Sequence, residues 1–386
     1  MKLKTLALAT FAAALGLPAE ALEVRFYPNG PLYTYELDGA HSASSLLVHN
    51  IAIVNDSSGP VTVSEVQLQL LVGDRAMDIR TLDASDLGRA AMQGSQMQQA
   101  GMLEPLRFMF GGTELLPAGT KLAATTTLAP GEAIILSSQL FGYRGARDAL
   151  RVRAVGNNTV RETTRAISSK TSTTVFAWPL KGVWFDGAGS SLHTPHRWVP
   201  MEQFAHDILR LGPNLKTYRT DGQTFADFYA YGEPVMAAAG GTVAAASDTQ
   251  PEDQKAMRQK GETMEAYMQR LQGDQMARIS KGALAISGNY VTIDHGNGEF
   301  SHYLHLKPKS VSVKVGQKVE QGVVIGALGS SGNSTEPHLH FQVCNSSDPL
   351  MCAGIPPTWR GLAFTFDDFP RAPQSGDLIY DLKTPK

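Results

Sequence analysis

Cysteine is nearly absent from this chain: 386 residues hold two, Cys344 and Cys352. No C-x-x-C spacing occurs, which leaves a thiolate metal site the weaker reading of that pair. An excess of either charge is lacking too. The 34 basic and 36 acidic residues leave a net charge of -2, so no bulk field recruits nucleic acid. Beyond the N-terminus no segment is apolar enough to cross a membrane. No repeat of about 20 to 50 residues recurs, which argues against a solenoid.

What is present begins with the N-terminus. "MKLKTLALATFAAALGLPAEAL" places Lys2 and Lys4 before an apolar run from Leu6 to Leu17, followed by Ala19-Glu20-Ala21. That is a positive n-region, an h-region and an A-x-A cleavage site. The expectation is a signal peptide over residues 1–21, a mature chain from Leu22, and a protein of the periplasm or the exterior with no remaining transmembrane anchor. No cysteine stands at the cleavage point to carry a lipid. In an exported protein, Cys344 and Cys352 are expected to pair, and closing so short a loop contributes roughly 2–3 kcal/mol in the chain-entropy account.

Residues 22–170 read as β-strands. "SLLVHNIAIVND", "VTVSEVQLQLLVGD", "EAIILSSQLFGY" and "ALRVRAVGN" alternate or are β-branched, with Gly, Pro, Asn, Asp and Ser between them. A β-sandwich-like domain is expected. "DASDLGRAAMQGSQMQQAGM", from Asp83 to Met102, interrupts it as a helical insertion or loop. The Ser/Thr-rich residues 161–175 read as a linker or a polar edge strand. A second domain over 176–386 has short strands joined by Gly turns, so it is mainly antiparallel β. Its charged, Met-rich stretch at 251–280 reads as a helical insertion, either a solvated surface helix or a flap over a groove.

Eight of the ten histidines lie in this second region: His193, His196, His206, His295, His302, His305, His338 and His340. His41 and His49 fall in the first half with no visible partners and read as surface or packing residues. "PHLHF" puts His338 and His340 two apart, hence on one face of a strand. Two imidazoles and a carboxylate with one open position are the protein ligands of a mononuclear zinc hydrolase.

Several segments occur in the order and spacing of a known family. They are "GEPVMAAAGGTV" (232–243), "GNYVTIDHGNG" (288–298), "YLHL" (303–306), "VKVGQKVEQGVVIGALGSSGNST" (313–335) and "PHLHF" (337–341). Over about residues 180–360 the chain resembles the lysostaphin or LytM-type zinc metalloendopeptidases; the N-terminal half is not covered. The resemblance implies one Zn2+ per chain and hydrolysis of peptide bonds in peptidoglycan cross-links through a zinc-activated water. It implies His196, Asp207 and His340 as metal ligands, with His193 as the reserve for the first, and His305 and His338 as catalytic histidines. The family's H-x-x-x-D spacing is broken here, because Gln203 stands four before Asp207. His196 enters instead through "HR" upstream of the strand, as in a branch of the family. Alternation puts His305 on the face of Tyr303 and turns His302 away, so His302 and His295 read as turn or surface residues and His206 as a packing residue. Gly288, Gly329 and Gly332 mark tight turns or close backbone approach. The alternative is a catalytically inactive LytM-type regulator or binding module of cell-wall hydrolysis. A third reading is a latent enzyme, its groove covered until an unspecified protein partner moves the cover.

Overall fold

The computed structural model describes residues 22–37, 42–157, 159–365 and 371–381. The expected signal peptide and His41 lie outside the described residues. The fold is mainly β, as its alternation predicts.

In the strand Val61–Val72, Val61, Val63, Val66, Leu68 and Leu70 are buried, and the polar residues between them are exposed or half-buried. A bulge between Val63 and Glu65 resets the phase of that alternation. Leu22–Tyr27, Leu32–Glu36, Ala43–Asn55 and Glu132–Arg144 form one layer. Val61–Val72, Arg75–Leu82, Ala149–Gly156 and Thr159–Ser168 form the other. Leu46, Ile51 and Ile134 of the first layer pack against Val66, Leu68 and Val152 of the second. The layers join where Thr159–Ser168 runs briefly parallel to Leu32–Glu36. Of the two expectations for 161–175, the polar edge strand describes residues 161–168. Among the described residues Thr159–Ala166 pair with Ala149–Gly156 alone, only Ile167 and Ser168 reach Leu32 and Tyr33, and none of the strand's residues is buried.

The break at Asp83 is a helix, Ala84–Gln99, started by the Asp83 carboxylate, which accepts from the Ser85 and Asp86 amides. The Met-rich stretch forms a second helix, Met264–Lys281, none of whose residues is buried. Its Tyr267 hydroxyl donates to the Thr335 carbonyl at 3.3 Å, which lays the helix against the segment preceding His338. Among the described residues no helix is long and apolar enough to cross a membrane.

Among the described residues the second sheet has nine strands, with Asn289–Asp294, Phe300–Leu306, Leu339–Cys344, His206–Leu209 and Val183–Ala188 adjacent in that order. These neighbours are all antiparallel. In Leu339–Cys344 the residues Leu339, Phe341 and Val343 enter the apolar core with Val291, Ile293 and Tyr303. His340, Gln342 and Cys344 therefore share the opposite face. Cys344 is bonded to Cys352, as expected.

The two halves meet over buried polar groups. Arg197 is fully buried, donates to Ser45 Oγ at 3.2 Å and stacks over Tyr35 and Phe204. His49 Nε2 lies 3.0 Å from Gln203 Oε1. Burial, helped by the Arg197 charge and opposed by the Gln203 hydrogen bond, pushes His49 down to about 4. Its native form is neutral at a pH where the unfolded chain already binds a proton, so stability falls as pH drops from about 6.5 toward 4. Between pH 7 and 5 the wild-type protein should lose about 2 kcal/mol relative to a His49→Asn variant, read by urea denaturation at both pH values. An equal loss in both proteins would show that His49 is charged when folded.

Candidate functional site

Asp207 sits at the middle of the site because its strand pairs with Leu339–Cys344 in a register that sets Asp207 opposite His340. Asp207 Oδ1 lies 3.0 Å from His340 Nδ1 and 3.3 Å from His338 Nε2, while Oδ2 lies 3.3 Å from His196 Nε2. All three histidines are buried, whereas the Asp207 side chain keeps 24% of its surface accessible. His196 arrives from a short turn, Pro195–Trp198, which begins with proline. Thr194 anchors that turn by donating to the carbonyls of Gly189 and Ser191 at 2.6 and 2.9 Å.

His305 reaches the site by a different route from the one predicted. Tyr303, which was to share its face, points into the core and holds the Ala238 amide through its hydroxyl. The pairing slips between Asn289–Leu306 and Val291–Tyr303, and His305 in the bulge has φ of 63°. That left-handed conformation is uncommon outside glycine, and it turns the ring toward the site. The His305 ring lies 4.9 Å from that of His338 and 5.9 Å from that of His340. His305 Nδ1 donates to the Ser331 carbonyl at 2.8 Å. The segment carrying that carbonyl approaches so closely that a Cβ on Gly288 would sit 2.5 Å from Ser331 O, and one on Gly332 would sit 2.5 Å from Gly288 N. Here the expected close backbone approach has a visible purpose: it delivers the acceptor that orients His305.

His302 is a correction. It is fully buried rather than a turn or surface residue, with Nδ1 2.9 Å from Thr292 Oγ1. It pairs across the strands with Gln342, and burial pushes it down to about 3. His206 packs against Trp178 and Trp359 on the face opposite Asp207, with Nδ1 2.8 Å from Asp186. His193 is exposed and His295 contacts the Gly240 carbonyl and Ser301. Sequence reasoning offered Ser331 and Asn289 only as possible lining of a groove and missed that the backbone carbonyls of Ser331 and Glu336 hold His305 and His338. It missed Gln342 as well, although its spacing of two from His340 was a signal for a shared face.

Charge is concentrated at this point. Burial works to raise Asp207, but the facing His196 and His338 hold its carboxyl well below the usual range. Burial alone would depress His196, yet the charge and hydrogen bond of Asp207 outweigh it and lift His196 to about 10. The same balance raises His338. His305 is driven well below its ordinary value by burial and by the two neighbouring histidines.

The donor set fits a divalent cation. Ligand atoms of His196, Asp207 and His340 all lie within 4.8 Å of one another. Two nitrogens and one oxygen are the donors zinc accepts in hydrolases. His338 spends its Nδ1–H on the Glu336 carbonyl at 2.8 Å, and the oriented His305 likewise, so the ring nitrogens left over face the carboxylate region as acceptors. Lone pairs crowded around an anion require a proton or a metal ion among them.

Residues 276–351 match the profile of Peptidase family M23. The matched segment contains His302, His305, His338 and His340, whereas His196 and Asp207 precede it. Two relatives come from Vibrio cholerae serotype O1. Peptidoglycan DD-endopeptidase ShyA is 46% identical over 72 residues, which is 18% of this chain and 16% of the relative. Peptidoglycan DD-endopeptidase ShyC is 48% identical over 56 residues, 14% of this chain and 12% of the relative. The chain thus spans less than a fifth of the length of these curated relatives. Among solved structures, the catalytic domain of lysostaphin from Staphylococcus simulans aligns with 45% of this chain and 88% of its own length, at 19% identity and a TM-score of 0.24.

Replacing Asp207 with Asn removes the charge while keeping the shape. In metal-free protein His196 should then titrate below 6.5, where the wild type stays protonated through pH 8. Imidazole NMR signals followed against pH distinguish the two.

Proposed function

We propose that this protein is an exported zinc metalloendopeptidase that hydrolyses peptide bonds in peptidoglycan cross-links. The observation that carries the reading is the convergence of His196, Asp207 and His340 on one point, with His305 and His338 beside it. The peptidoglycan endopeptidase names of the relatives that share the M23 segment support the substrate class. The apolar run from Leu6 to Leu17 and the Cys344–Cys352 disulfide support export to the periplasm or beyond. In this reading residues 22–170 are a separate β-rich domain and residues 176–386 the peptidase domain.

His196, Asp207 and His340 would hold the zinc. When bound, zinc supplies Lewis acidity, polarising the scissile carbonyl and making solvent nucleophilic near neutral pH. The protein's part is proton management. His305 and His338 have their Nδ1 protons fixed on backbone carbonyls, so each offers Nε2 to the reacting groups. Between them His305 and His338 can take a proton from the nucleophile and deliver one to the leaving amine. The left-handed backbone at His305 sets its ring beside that of His338 for this exchange.

Purified full-length protein incubated with purified peptidoglycan should release peptides cut at their cross-links, read by mass spectrometry. Chelation should abolish release and zinc should restore it. His340→Ala should lose both the metal and the activity. His305→Ala should keep the metal while the rate falls by roughly 10²–10⁴-fold. Zinc-loaded protein that leaves every cross-link intact would overturn the reading in favour of a non-catalytic role.

A further inference from the structure

Gln342 is absent from the donor set, yet it sits where the electronic state of His340 is decided. Its side chain is 1% exposed and lies on the same face of Leu339–Cys344 as His340. One end of its amide is 2.8 Å from His340 Nε2 and the other 2.8 Å from the Pro349 carbonyl. The second end also approaches the sulfurs of Cys344 and Cys352, at 3.2 and 3.7 Å.

The chemistry of these partners leaves one arrangement. A proline carbonyl only accepts, so the end of the amide facing Pro349 is the NH2 group. The end facing His340 is then the amide oxygen, which only accepts. His340 Nε2 must therefore carry the hydrogen. In the neutral imidazole Nδ1 then keeps its lone pair, directed at the centre 3.0 Å from Asp207 Oδ1, where a cation between the two would satisfy both. Without this chain of donors, the single proton of a neutral His340 would have a better acceptor in the Asp207 carboxylate. It would move to Nδ1 and lie between the two ligands, in competition with a metal ion.

We infer that Gln342 is a positioning residue that holds the His340 proton on Nε2, and that the disulfide-closed loop, through the Pro349 carbonyl, fixes the amide in the orientation that does so. The lock lies between residues 344 and 352, inside the disulfide loop. Turning the amide over would set its oxygen against the Pro349 carbonyl in a buried space, two acceptors with no hydrogen between them. His302, opposite Gln342 across the strands and fully buried, closes the remaining side. The inference rests on the zinc reading above only for its consequence, metal affinity; the position of the proton is a property of the metal-free protein.

Two substitutions separate this role from mere packing. Gln342→Met keeps the length and removes the acceptor. Gln342→Glu keeps an acceptor for His340, and as a neutral acid it also donates to Pro349. Zinc affinity, measured by chelator competition, should fall about 10–100-fold in Gln342→Met and stay within about threefold of wild type in Gln342→Glu. In metal-free protein at pH 9, nitrogen NMR should place the His340 hydrogen on Nε2 in the wild type and on Nδ1 in Gln342→Met. The inference is overturned if Gln342→Met binds zinc like the wild type, if Gln342→Glu weakens binding as much as Gln342→Met, or if wild-type His340 carries its hydrogen on Nδ1. A wild-type protein that binds no zinc would defeat the metal reading alone, since the NMR measurement still decides the position of the proton.

Discussion

One carboxylate facing three imidazoles is the constraint on which the site depends. Buried histidines are neutral by default, because taking a charge from water is costly. Here the Asp207 charge reverses that default for His196 and His338, while at His305 the neighbouring His338 and His340 add to the effect of burial and keep it neutral. The difference lies in which neighbour dominates at each ring. Asp207 is held in place by strand register, with His206 and Ile208 on either side turned to the opposite face. A slip of one residue would send the carboxylate into the apolar core and His206 into the site.

Much of this was legible in the residues, and the illegible part has definite causes. Strict alternation in Leu339–Cys344 separated Leu339, Phe341 and Val343 from His340, and the structure follows it. The stretch from Asp83 to Met102, read as a helical insertion or loop, is a helix over Ala84–Gln99 with Asp83 as its cap. His305 and His302 were misread for one reason: alternation fails at a bulge, and nothing in "SHYLHL" announces φ of 63° at His305. The Thr-rich residues 161–168 could be read as linker or edge strand because a strand that buries none of its side chains leaves no hydrophobic pattern in the sequence. His196 could be placed beside Asp207 only through a family resemblance. A ligand carried on an irregular turn leaves no periodic trace.

The junction between the halves bears on the site through chain connectivity. Arg197 follows His196 directly and is buried against Tyr35, Ser45 and Phe204. A guanidinium so placed is costly unless the groups around it remain in position. The backbone at His196 is thus anchored from two sides, by Thr194 to its own loop and by Arg197 to the first sheet. The first half of the chain therefore helps to fix one of the three donors without contributing an atom to the centre.

Asp207 and His340 stand 133 positions apart along the chain. An ion bridging them would act as a clasp on a very large loop, with an entropic value that grows as the logarithm of loop length. Occupancy of the centre and completion of the second sheet would then be one thermodynamic event, since the unfolded chain has no such cluster to offer. The clasp and the Cys344–Cys352 bond meet at opposite ends of the same short strand. One covalent and one coordinate closure would pin the strand between them.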